Sequence, residues 1–179
     1  MHPVKIGSPQ LTLREFRLND VDVTLRLVGD DRVTSWLSFD SRNRDQTSRM
    51  IEGVIKRAQY EPRTEYYLAI TLGDDTLVGF VRLGLDGVQA AKLGYAIAAD
   101  YWGRGYASDA ARLIVDFGFR KLALHRISAA IGPDNAPSIA VAQRLGMSYE
   151  GTIRHHVFTN GFWRDSLLYS VLEDDWITK

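Results

Sequence analysis

The chain has 179 residues, 45% of them apolar, which is enough for one domain (residues 1–179) with a sizeable core. Lys plus Arg equals Asp plus Glu at 22 each, so the formal charge is zero, which argues against a nucleic-acid binder driven by bulk charge but leaves room for a local basic patch. There is no cysteine, which removes disulfides, thiol nucleophiles and thiolate metal sites.

The opening MHPVKIGSPQ lacks the apolar core of a secretory leader, and no stretch reaches the roughly 18 apolar residues needed to span a bilayer. The expected setting is cytoplasmic, with no membrane or nucleic-acid partner. Leu11 to Leu18 (LTLREFRL) alternates apolar and polar residues, which predicts a half-buried strand. Asn19 and Asp20 are placed to cap a helix over Val21 to Leu27. Asp31 to Leu37 reads as a short turn before a polar loop. Arg44 to Tyr60 carries Met50, Ile51, Val54, Ile55 and Ala58 at helical spacing, and Pro62 ends it. Strands follow over Tyr66 to Thr71 and Leu77 to Leu85, around a Gly73-Asp74-Asp75 turn, and then over Ala91 to Ala98. A glycine-rich loop leads into a helix over Ser108 to Leu122. Arg126 to Ile131 reads as a buried strand, and Pro137 suits the first turn of a helix that runs to Leu145 and ends at Gly146. Ser148 to Phe158 and Trp163 to Leu172 flank Asn160-Gly161, the strongest short hairpin signal. Antiparallel hairpins combined with strand–helix crossovers predict an α/β (α+β) fold with one mixed sheet and helices on its faces.

The stretch richest in chemistry is Leu93 to Arg120, LGYAIAADYWGRGYASDAARLIVDFGFR. A strand ends, a glycine loop follows and a helix begins at once. Glycines let a backbone approach a ligand closely, and the first helix amides lack intrahelical partners at the positive end of the dipole. Such a terminus binds phosphate. A plain strand–loop–helix turn would use the same glycines. The run is neither a Walker loop, since no Gly-Lys-Ser/Thr closes it, nor a good dinucleotide fingerprint, since Ser108 stands at the third glycine position.

Three motifs in order carry a resemblance. Trp102-Gly103-Arg104-Gly105-Tyr106-Ala107 resembles the acetyl-CoA loop of Gcn5-related N-acetyltransferases, with Trp102 where many members have Gln or Arg. Asn135-Ala136-Pro137-Ser138, followed by Arg144-Leu145-Gly146-Met147, resembles the Asn-x-x-Ser…Leu-Gly-Phe of the RimJ/RimL branch. Glu150-Gly151, then Gly161 to Asp165 and Tyr169, resembles that branch's C-terminal hairpin. These motifs cover the second half of the chain; the first half matches in general layout.

The resemblance implies a mostly antiparallel sheet whose central parallel strand pair is splayed, with acetyl-CoA entering the gap. It implies that Trp102, Gly103, Arg104, Gly105, Tyr106, Ala107 and Ser108 bind the cofactor, with the amides from Arg104 to Ser108 cradling the pyrophosphate. Tyr95, Ala96 and Ile97 would hold the pantetheine arm as a pseudo-strand, Asn135 would hydrogen-bond it, and Arg144 would meet a phosphate or simply sit on a solvated helix face. A homodimer is implied through the hairpin aromatics Phe158, Phe162 and Trp163.

Acetyl transfer needs a base for the amine, a donor for the developing oxyanion and help for the departing thiolate. An amide near Tyr95 or Ala96 suits the oxyanion. The tyrosine that many relatives use as the acid is Ala142 here, and the branch suggests Ser138 instead, which could equally serve its helix. The usual Glu base is Lys92 here. Glu150, His155, His156 or a water chain are the candidate bases, and since a His pair in a strand points to opposite faces, at most one of the two faces the cleft. No ligand spacing suggests a metal. Trp36, Phe39 and Trp163 are candidates for the acceptor pocket or for core packing. Asp165 is a candidate to bind the acceptor amine or to orient the hairpin. The acceptor could be a protein N-terminus, a polyamine or another amino-bearing small molecule. A non-catalytic acyl-CoA-binding module and a nucleotide-binding regulator are the competing readings.

Overall fold

The computed structural model describes residues 2–177. Strands β1 (Lys5–Gly7), β2 (Thr12–Glu15), β3 (Glu65–Thr71), β4 (Leu77–Leu85), β5 (Ala90–Ile97), β6 (Arg126–Ile131), β7 (Ser148–Thr159) and β8 (Phe162–Leu172) form one eight-stranded sheet in the order β1-β2-β3-β4-β5-β6-β8-β7. Every neighbouring pair is antiparallel except β5 with β6. The mixed, mostly antiparallel sheet expected from the sequence is therefore present.

Alternation along the strands sorts side chains onto two faces. Tyr66, Leu68, Ile70, Val81, Leu83, Ala91 and Leu93 pack with helices α4 (Tyr106–Leu122) and α5 (Ala136–Arg144) on one face. Ala69, Phe80 and Ala96 pack on the other, under α1 (Val21–Val28), α2 (Asp31–Thr34) and α3 (Arg44–Ala58). Helix α3 starts where Asn43 Oδ1 accepts from the Gln46 amide at 3.0 Å and Gln46 Oε1 accepts from the Asn43 amide at 2.9 Å, a reciprocal cap. It buries Ile51, Val54 and Ala58 at helical spacing. Each larger side chain so buried contributes about 1.5–3 kcal/mol.

The structure departs from the sequence expectation at a few ends. The first long strand stops at Glu15, because Leu18–Asp20 forms a 3₁₀ turn. Asp20 holds that turn: its carboxylate accepts from the Arg17 amide at 2.7 Å and from both Arg14 Nη atoms at 2.9 Å, so its side chain does not cap α1. Asp31 to Leu37 contains a short helix rather than only a turn, capped by Asp30. Helix α4 begins two residues before the expected Ser108. Strand β1 and the short helix α6 (Glu173–Ile177) were not expected.

The parallel pair opens the sheet. Its register runs Ala90↔Arg126, Ala91↔Ile127 and Lys92↔Ser128 and then stops, although β5 continues to Ile97 and β6 to Ile131. The splay expected at the sheet's centre lies here, and it leaves one side of the β5 backbone without a strand partner.

Candidate active site

The wedge between β5 and β6 opens into a cleft of about 1830 Å³ that takes its lining from both faces of the sheet. That exceeds the roughly 300–1,000 Å³ of a typical small-ligand pocket and suits two molecules meeting end to end. Tyr95, Ala96, Ile97, Trp102, Gly103, Arg104, Gly105, Tyr106, Ala107, Ser108, Asn135, Ser138, Arg144, Trp36, Phe39, His156, Trp163 and Asp165 all border it. Glu150 does not.

On the α4 side the cleft is made largely of backbone. Gly103 and Gly105 adopt φ of +74° and +82°, and a Cβ at either would meet nothing within 4 Å, so the surface before the loop is open. The left-handed Gly105 is the N-cap of α4 and no side chain caps this helix, so its first amides remain free at the positive end of a 17-residue helix. Trp102 latches the loop to the strand, its Nε1 donating to the Ile97 carbonyl at 2.7 Å. Arg104 lies across the Tyr101 ring at 5.4 Å. Arg144 reaches from the end of α5 to Ser108 Oγ at 3.4 Å, which brings its charge beside the same helix terminus. Asn135 spends its Oδ1 as the cap of α5, accepting from the Ser138 amide at 3.2 Å, and its side-chain amide hydrogens have no hydrogen-bond partner among the described residues.

Strand parity decides which β5 groups face the gap. The Ala98 amide donates to the Val78 carbonyl at 2.8 Å, and the Ala96 carbonyl lies against Gly79, so Ala96 and Ala98 turn their backbone toward β4. Tyr95 and Ile97, of opposite parity, turn theirs toward the gap. Of the two amides considered for the oxyanion, Tyr95 is the one aimed at the cleft. The Tyr95 side chain drops toward α5. Its hydroxyl is buried without an aligned hydrogen bond, although Ser138 is near enough to act on it. Burial pushes this phenol up, and the Ser138 hydroxyl offsets that in part.

The opposite side belongs to side chains. Strand β7 breaks its register with β8 between Ile153 and Val157, and His155 takes a φ of 48°. This irregularity cancels the alternation assumed for the histidine pair, and both His155 and His156 border the cleft. His156 Nδ1 pairs with the buried Ser166 hydroxyl at 2.9 Å, leaving Nε2 free. His155 stacks on Trp163 with centroids 6.2 Å apart, and its amide donates to Asp165 Oδ1 at 2.8 Å, a bond across the hairpin. Arg164 ties the hairpin to the first half of the chain by donating to the carbonyls of Ser35 (2.5 Å) and Leu37. Glu150, the third candidate base, lies apart from the two histidines. It sits outside the cleft, and the Arg126 guanidinium, with help from Ser170, holds its carboxyl down at about 2. Sequence reading missed Arg42, Arg57, Glu65, Tyr67 and Arg82, which line this wall from α3, the loop before it, β3 and β4; only Glu65 and Tyr67, two apart on β3, share an element.

Residues 10–148 match the family model described as an acetyltransferase (GNAT) domain, and the chain belongs to that family. It is an enzyme of the N-acetyltransferase class. It is 33% identical to the probable N-acetyltransferase YjcK of Bacillus subtilis, over 91% of this chain and 94% of that one. It is 28% identical to the uncharacterized N-acetyltransferase p20 of Bacillus licheniformis, over 94% and 96%. Among solved structures it is similar to Mycobacterium smegmatis RimJ in complex with CoA-disulfide, with 26% identity, a TM-score of 0.85 and coverage of 97% of this chain and 90% of that one.

Proposed function

We propose that this chain, as one acetyltransferase domain, transfers an acetyl group directly from acetyl-CoA to a primary amine bound in the same cleft. The observation that carries this reading is the convergence on one wedge of the uncapped α4 amides, the gap-facing Tyr95 backbone and the Ser138 side chain. Acetyl-CoA supplies an activated acyl carbon, and the C–N bond forms there as the C–S bond breaks. The free amides at the start of α4, with Arg104 and Arg144, hold the pyrophosphate. The Tyr95 amide donates to the carbonyl oxygen as charge builds on it. Ser138 donates to the departing sulfur. His156 Nε2 takes the amine proton, directly or through water, while Ser166 fixes the ring at Nδ1. Cytosolic placement suits a chain whose described residues include no helix long and apolar enough to cross a membrane. The exposed Phe158, Phe162 and Trp163 support a homodimer through the hairpin; a one-chain mass in light scattering at micromolar concentration removes it.

The test of the reaction has two readouts. Calorimetry measures CoA binding, and thiol release from acetyl-CoA is followed with N-terminal peptides, spermidine and small amines. Binding together with amine-dependent thiol release is expected. Binding without release for any amine class would leave an acyl-CoA-binding module in its place.

A further inference from the structure

The cleft wall formed by α3, β3 and β4 holds a charge arrangement that the transfer chemistry leaves unused. Glu65 is buried there, and both its oxygens are taken: Arg57 Nε donates to Oε1 at 2.5 Å and Arg82 Nε to Oε2 at 2.8 Å. Burial alone would raise this carboxyl, but the two arginines outweigh it and hold it below the ordinary carboxylate range, so Glu65 is ionised. Each guanidinium spends only its Nε on Glu65. Among the described residues the Nη groups of Arg57 and Arg82 make no hydrogen bond to protein, their side chains are 42% and 44% exposed, and both residues line the cleft. Arg42 lies 4.2 Å over the Phe39 ring, borders the same cleft and has no carboxylate partner among the described residues. Tyr67 borders the same cleft as all three arginines and Glu65, and its hydroxyl feels the charge of each. Burial drives the Tyr67 phenol far above its ordinary value, which keeps it a neutral donor.

Three guanidiniums and one carboxylate leave this wall positive. Forked Nη donors fixed by a buried partner fit the planar or tetrahedral oxygens of a carboxylate or phosphate. Of the two carboxylates on the acceptor side, Glu65 is fully committed to arginines and Asp165 keeps its charge while accepting the His155 amide, so three guanidiniums face one uncommitted carboxylate and a polycation is disfavoured on balance. Resting on the acetyltransferase reading above, we propose that the acceptor carries an oxyanion, carboxylate or phosphate, on the same molecule as its amine, and that Arg42, Arg57 and Arg82 bind it.

The test compares matched acceptors by thiol release from acetyl-CoA: phosphoethanolamine against ethanolamine, the amidated dipeptide Ser-Glu against Ser-Gln, and spermidine. The anionic member of at least one pair should have a kcat/KM about tenfold or more above its neutral partner, the scale of one charge-assisted hydrogen bond. The pair that responds tells phosphate from carboxylate. Arg42→Ala, which breaks no ion pair, should raise KM for the anionic acceptor about fivefold or more and leave the neutral one within about twofold. Equal rates within both pairs, a preference for spermidine, or an equal effect of Arg42→Ala on both members overturns the proposal. If no acceptor turns over, calorimetry on CoA-saturated protein with inorganic phosphate and with succinate decides. Binding that Arg42→Ala weakens sustains the oxyanion site, and no binding of either anion removes it. CoA affinity, measured in its own titration of the free protein, reports separately on the acetyltransferase reading.

Discussion

The two walls of the cleft are built from different materials. The α4 wall is mainly backbone: free amides after Gly105, the gap-facing edge of β5, and glycines that keep side chains out of the way. The opposite wall is almost entirely side chains, drawn from α3, β3, β4, the loop after α2 and the β7–β8 hairpin. A wall of amides keeps its chemistry as long as the helix and strand form, whatever residues fill them. A wall of side chains can be rewritten one substitution at a time without disturbing the sheet beneath. The first arrangement suits a ligand recognised through backbone geometry alone, and the second suits one recognised by individual side chains.

The sharpest way to break this contrast is at the backbone wall. Gly105→Asp places a carboxylate before the free amides and forces a non-glycine residue to hold a φ of +82°. A Cβ there meets nothing within 4 Å, so the fold should persist with a backbone penalty of about 1–2 kcal/mol. CoA affinity should fall about a hundredfold or more by calorimetry, through charge repulsion and loss of the anion site. Unchanged affinity in the folded variant would relocate the phosphate site.

Next in size is Ser138→Ala, which probes the one side chain on the donor side assigned to the chemistry. It should lower kcat by roughly ten to a thousandfold. CoA affinity should stay within about threefold, since one neutral hydrogen bond contributes only about 1 kcal/mol net. Lost turnover with intact binding marks a contact made in the transition state. If both fall together, Ser138 is a binding residue; if neither moves, its hydroxyl serves the helix.

The smallest effect is expected from Glu150→Gln, which lies on neither wall. Activity should stay within about twofold, far short of the loss of a catalytic base. Stability near neutral pH should fall by less than about 1 kcal/mol, as for other exposed ion pairs. Because Arg126 and then Ser170 depress the Glu150 carboxyl to about 2, its stabilising contribution is complete above the ordinary carboxyl range and is lost as pH falls toward that value. Thermal melts should therefore separate wild type and variant near neutrality and converge in strong acid. A large loss of kcat would restore Glu150 as the base.

What could be read from the sequence follows the same division of materials. Strand alternation, the α3 stripe and the glycine loop are local patterns, and they located the sheet, the helices and the backbone wall. Lys5–Gly7 is too short to show a period, and the acidic Glu173–Ile177 gives no apolar stripe. The histidine pair was misjudged because the irregularity in β7 lies outside the strand rule it interrupts. Glu150 looked free because its partner Arg126 is 24 residues away in sequence. The cluster of Arg42, Arg57 and Arg82 exists only through the packing of α3 and its preceding loop on β3 and β4, and no spacing announces it.

Tyr95 carries two obligations at right angles to each other. Its amide lies in the plane of the sheet and faces the gap, while its hydroxyl hangs beneath that plane near Ser138. Any residue but proline supplies the first, and only a hydroxylated ring of this length supplies the second. Mutational tolerance at this position therefore separates the two duties: phenylalanine keeps the amide and removes the hydroxyl, and proline deletes the amide itself.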